Sequence, residues 1–117
     1  MSPKRGDRVA PPPGPGHYEV RFDNNEAVKG WDCLCQQAGG NTFDAWVAMR
    51  TNPAPNPPTP RHERLKGRLA SVDRKGESLP QWQIEVTGGG RVWYLLDEAR
   101  KTCWIVRAGT GHPKATD

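Results

Sequence analysis

The chain is short of ordinary core material. Only 34% of its 117 residues are hydrophobic, and it has just two methionines, two phenylalanines and two tyrosines. The 13 glycines and 12 prolines take up positions that pack poorly. That arithmetic leaves room for one small domain and not for two. No apolar run approaches the roughly 20 residues of a membrane span. No apolar stretch follows the basic residues near the N-terminus as it does in a secretory leader. A soluble, cytoplasmic protein with no membrane partner is therefore expected. Cysteine is scarce as well. Cys33, Cys35 and Cys103 cannot all pair, so a disulfide scaffold is excluded and reduced thiols are expected. A Cys-x-Cys with a distant third cysteine and three histidines raises the question of zinc. The spacing lacks a regular fourth ligand, so neither a metal site nor a cofactor is expected.

Five tryptophans are present, and each ring buries a large area in a small core. Charge is also unevenly placed within the net +4. Residues 1–16 carry three cations and one anion, residues 17–60 three cations and five anions, and residues 61–117 eleven cations and seven anions. The basic C-terminal half points to a polyanion-facing surface, although a modest excess also suits a plain solvated face.

Residues 1–16 interleave Pro3, Pro11, Pro12, Pro13 and Pro15 with glycine and basic residues, and they read as a disordered arm ahead of a domain spanning 17–117. Tyr18, Val20 and Phe22 alternate as in a half-buried strand. Asp23 to Glu26 supplies cap chemistry for a helix over 25–38, with Gly39-Gly40 as its terminator. A second helix turns Phe43, Trp46, Val47 and Met49 or Arg50 inward. Five prolines in residues 51–60 stop it, so 53–60 forms a rigid connector. Residues 61–69, with Leu65 and Leu69 among many cations, suit either a short helix or an irregular basic segment. Residues 81–87 and 91–96 then alternate around Gly88-Gly89-Gly90, and 102–108 forms a third strand. The fold class is α+β: a two-layer domain, β-α-α-β-β-β, with an antiparallel sheet against a helix pair.

Pairing Thr87 with Arg91 puts Val86 opposite Val92, Ile84 opposite Tyr94 and Trp82 opposite Leu96 on one apolar face. Pairing Leu95 with Cys103 sends Trp104 and Val106 into the core. It also sets Arg107 opposite Arg91 on the outer face, beside Gln83, Glu85 and Trp93. Like charges facing each other are unfavourable unless an anion lies between them, and a phosphate fits. The same arginines are equally compatible with plain solubility and pairing to Glu85. On this register Trp93 is an exposed platform on which a base can stack. His112 follows the last strand in Gly109-Thr110-Gly111-His112-Pro113-Lys114 and ionises near neutral pH.

This arrangement resembles the RelE/ParE family of bacterial type II toxins over residues 18–117. Three local matches carry the resemblance: Arg64-Leu65-Lys66-Gly67 with the family's Leu-x-Gly segment, Gly90-Arg91-Val92-Trp93-Tyr94 with its Gly-x-Arg-[LV]-x-Tyr strand, and Ala108-Gly109-Thr110-Gly111-His112 with a HigB-type ending. The resemblance implies a metal-independent, ribosome-dependent mRNA endonuclease held in check by a cognate antitoxin. Arg91 then matches the arginine on the scissile phosphate and His112 the terminal histidine. Where RelE proper has two strand lysines this chain has Gln83 and Glu85, and its C-terminal tyrosine has no counterpart at Thr116 or Asp117.

Cleavage by the 2′-hydroxyl needs a base, a cationic clamp and an acid. The expected assignments are Arg91 and Arg107 as clamp, His112 as acid or base and Glu85 as its counterpart. Lys66, Arg68 and Lys114 bind RNA phosphates, and Trp93 stacks. Two rivals stay open: a ParE-like gyrase inhibitor of the same fold, and a nucleic-acid-binding relative weakened by loss of the lysines.

Overall fold

The computed structural model describes residues 3–9 and 11–110. Strand β1 (Glu19–Phe22) leads into helices α1 (Asn25–Gln37) and α2 (Gly39–Thr51). Strands β2 (His62–Arg64), β3 (Ser71–Arg74), β4 (Glu77–Glu85), β5 (Arg91–Asp97) and β6 (Thr102–Gly109) follow, with a 3-10 turn at Gly67–Leu69. The sheet order is β1-β6-β5-β4-β2, and β3 pairs with β4. All ladders are antiparallel except β1 with β6, which is parallel. The α+β class and the order of strand, helix pair and meander hold, while β2 falls in the 61–69 segment whose structure the sequence leaves open and β3 in residues to which the sequence assigns no element.

Local chemistry explains each element. The Asn24 side chain accepts from the Ala27 amide at 2.8 Å, capping α1 with one of its orphan donors satisfied. Ala27, Trp31 and Leu34 then form the buried stripe. The break to α2 falls at Ala38, with φ −147° and ψ 59°. Gly39 and Gly40 therefore begin the second helix instead of ending the first. The Thr42 hydroxyl fixes this corner by donating to the Leu34 carbonyl at 3.0 Å. The buried face of α2 is Thr42, Ala45, Trp46, Met49 and Arg50. Phe43, expected inside, is 59% exposed.

The reading of residues 1–16 as a disordered arm is corrected over residues 4–9. Gly6 N–H donates to Phe22 O (2.7 Å), Val9 N–H to Val20 O (2.6 Å) and Phe22 N–H to Asp7 O (3.1 Å), so the segment covers the free edge of β1. Val9 enters the core at 8% exposure. An open strand edge and one β-branched side chain outweigh the unfavourable composition.

The sheet registers are corrected as well. In the β4–β5 hairpin Glu85 faces Arg91, Ile84 faces Val92 and Trp82 faces Tyr94. Thr87 belongs to the turn, where its hydroxyl accepts from the Gly90 amide at 2.8 Å. The two-residue slip from the expected register leaves the inward face unchanged, because side chains alternate with period two. Across β5–β6 the pairs are Leu96 with Cys103 and Leu95 with Trp104, and the register shifts between Trp93 and Tyr94. This one-residue change from expectation reverses the faces, so Cys103 and Ile105 fill the core in place of Trp104 and Val106. Val106 is the extra residue of the bulge, since Tyr94 faces Ile105 while Trp93 faces Arg107.

The main core lies between the helices and one face of the sheet, with Trp31, Leu34, Trp46 and Met49 against Trp82, Val92, Tyr94 and Ile105. A second apolar group, Leu65, Leu79, Trp93 and Leu95, is buried on the other face. Gln81 Nε2 donates to Leu69 O at 2.8 Å and the Leu65 amide to Gln81 O at 3.0 Å, fastening the connection between β2 and β3 along that side.

Candidate functional site

The hairpin end of the sheet gathers the charged residues that the sequence nominates. Glu85 ends β4 and Arg91 begins β5 directly opposite, with Arg91 Nη1 3.8 Å from Glu85 Oε1. Arg91 also donates to the carbonyls of Thr87 (3.2 Å), Gly88 (3.4 Å) and Gly90 (3.3 Å). Its side chain is therefore only 14% exposed. Three backbone dipoles and a carboxylate fix the guanidinium in place, which is pre-organisation that a flexible surface arginine lacks.

Glu85 has a second cation in Arg61, whose Nε lies 3.7 Å from Oε2. The Glu85 amide also donates to the Arg61 carbonyl at 2.7 Å, so this backbone contact just before β2 holds the arginine at the site. Arg61 is absent from the expected set. Its cationic neighbourhood was legible, but the pairing that brings it to Glu85 depends on a three-residue strand too short to leave a pattern.

Two expectations for the outer face are overturned. Arg107 lies opposite Trp93 and Arg91 opposite Gly109, so the two arginines do not face each other, because the bulge at Val106 displaces the end of β6. Trp93 is 6% exposed and not an open stacking platform. Its indole N–H donates to Gln83 Oε1 at 2.7 Å, and the Arg107 guanidinium lies 5.8 Å from the ring centroid. Arg107 itself is exposed.

Lys66 and Arg68 are exposed at the 3-10 turn. Lys66 lines a cleft with Pro58, Pro60 and Arg64, apart from the one that Glu85 lines. His112 and Lys114 lie outside the described residues. The last described residues run beside the hairpin turn, since a Cβ on Gly89 would be 3.0 Å from the Thr110 carbonyl oxygen.

A cleft of about 460 Å³ opens between α2 and the hairpin end, lined by Asn41, Asp44 and Ala48 on one wall and Arg61, His62 and Glu85 on the other. His62 is half-buried, and burial lowers its pKa from 6.5 to about 4, against a smaller opposing effect of the Pro53 carbonyl. The Tyr94 hydroxyl donates to Pro53 O at 2.5 Å, which leaves it to accept from His62 Nε2 at 2.5 Å. Neutral His62 then carries its proton on Nε2 and keeps Nδ1 as an acceptor. The sequence reading missed this histidine, whose only signal was its place in the basic segment.

Cys33 and Cys35 are exposed on α1 while Cys103 is buried in β6 with its thiol toward the Met49 carbonyl. Among the described residues no group of three or more His, Cys, Asp or Glu is placed to hold a metal ion. Nor is any helix among them long and apolar enough to cross a membrane. Compared with protein-family models, curated proteins and solved structures, the chain matches none of them.

Proposed function

We propose that the chain is the toxin of a type II toxin–antitoxin system, a metal-independent endoribonuclease of RelE/ParE type that cuts mRNA on the ribosome. The observation that carries this reading is the Arg61–Glu85–Arg91 cluster at the hairpin end. A carboxylate between two guanidiniums joins a proton acceptor to cations that stabilise a developing phosphorane charge. Glu85 takes the 2′-hydroxyl proton, the 2′-oxygen attacks phosphorus, and the P–O5′ bond breaks to leave a 2′,3′-cyclic phosphate and a 5′-hydroxyl. Arg91, with Arg61, holds the phosphate, and His112 protonates the departing oxygen. The basic turn at Lys66 and Arg68 binds flanking phosphates.

The antitoxin has a matching surface on the opposite layer. Exposed Phe43 stands beside Trp46 at 5.6 Å between ring centroids, over a groove lined by Val9, Trp31 and Cys35. The helix segment around it is acidic, which suits a partner segment with apolar anchors and Lys or Arg flanks.

Primer-extension mapping of cellular mRNAs after induction tests the reaction. Translation-dependent, in-frame cuts are expected, and His112→Ala should abolish growth arrest in a protein that still folds. Full arrest with DNA damage and intact mRNA would instead identify a gyrase inhibitor. RNA binding with ribosome-bound mRNA left intact, even at excess protein, would identify a non-catalytic relative.

A further inference from the structure

We infer that the cleft between α2 and the hairpin end is a nucleobase pocket selective for guanine, placing the base next to the phosphate that the arginine cluster holds. This rests on the nuclease reading for its place in a reaction, but not for its chemistry. Asn41, Asp44, Ala45 and Ala48 fall at helical spacings i, i+3, i+4 and i+7, so one face of α2 forms a whole wall. The two alanines leave room beside that wall for a flat ring. Asp44 is exposed and makes no salt bridge among the described residues. The opposite wall carries Arg61, which already reaches Glu85 and through it the Arg91 side.

Asp44 puts an anion on one wall, while on the other side Arg61 and Arg91 flank Glu85 and leave a net positive charge, an arrangement that suits a ligand of the opposite polarity. A nucleotide has this character, with hydrogen-bond donors on the base edge and an anionic phosphate. Among the bases, guanine alone offers two parallel donors, N1–H and the N2 amino group, to both oxygens of one carboxylate. Cytosine and adenine offer a single amino group there, and uracil a single N–H. The Asn41 amide can supply a donor to O6. Single-stranded RNA is read in this way, by hydrogen bonds to splayed bases along their Watson–Crick edges. The volume of about 460 Å³ lies within the roughly 300–1,000 Å³ usual for small-ligand sites.

The test is NMR titration of the full chain with the four nucleoside 5′-monophosphates, run beside the mRNA mapping. GMP should shift the amides of Asn41, Asp44, Ala45 and Ala48. It should bind more tightly than AMP or UMP by about 5- to 150-fold, the range of a good paired contact to a base. Asp44→Asn should erase most of that preference while leaving the fold unchanged by circular dichroism, and Arg61→Ala should weaken all four nucleotides alike. Equal binding of the four, no shifts along α2 at millimolar GMP, or an unchanged preference in Asp44→Asn would overturn the inference. The nuclease reading fails separately: selective GMP binding without mRNA cleavage sinks that reading and leaves the pocket, whereas cleavage without GMP binding does the reverse.

Discussion

At Gly30 the backbone of α1 comes close to that of β6. A Cβ there would overlap the Ala108 carbonyl oxygen of β6, a backbone atom that cannot rotate aside. In an exposed helix interior Gly→Ala gains about 1 kcal/mol. Here the sign should reverse, with Gly30→Ala costing about 1–3 kcal/mol as overpacking does, measured by urea unfolding. His62 supplies a second prediction at this scale. Its folded pKa of about 4 lies below its unfolded value of 6.5, so the unfolded chain binds the extra proton between those values. The contribution of His62 to stability is complete above pH 6.5 and is lost as pH falls from 6.5 towards 4. Its ring protons should titrate near pH 4 by NMR, and His62→Gln should flatten the stability slope over that window. A midpoint near 6.5 would refute the buried neutral state.

At the scale of elements, the N-terminal segment acts as an additional edge. Trp46 Nε1 donates to the Val9 carbonyl at 3.2 Å, and Arg50, lying 4.3 Å from the Trp46 ring centroid, reaches the Pro11 carbonyl at 3.4 Å. Removing residues 1–9 should cost about 1.5–3 kcal/mol from Val9 alone. It should also speed hydrogen exchange at the Phe22 amide, which bonds to Asp7 O. Unchanged exchange there would show that the edge is not covered in solution. This segment marks where sequence reading stops. Alternation and helical spacing placed β1, α1, β5 and β6 within a residue or two, because each element buries a patterned face. The covering of an edge has no pattern, since its bonds are backbone bonds that any residue makes. The same holds for the candidate site: Glu85 and Arg91 were legible as neighbours across a glycine turn, but the bulge at Val106, which moved Arg107, has no local signature, and neither has the second apolar group that buries Trp93 on its expected face. Arg61 and His62 reach the site through β2, three residues long.

For the molecule as a whole, charge is layered, with an acidic helix segment on one side and most of the cationic excess in the half that builds the rest of the sheet. If the chain binds RNA as proposed, that binding should weaken steeply with salt. Lys66→Ala and Arg68→Ala should each lower the slope of log affinity against log salt by about 1, uniformly across RNA sequences. A change confined to particular sequences would mean that these residues read bases. The parallel pairing of β1 with β6 bears on how the chain folds. The strand that follows the N-terminal segment pairs with β6, beyond both helices and the β4–β5 hairpin, and α1 packs against that same distant strand at Gly30. Such high contact order makes folding slow. It also means that β1 and the segment covering its edge have no sheet to join until the locally paired β4–β5–β6 meander is in place.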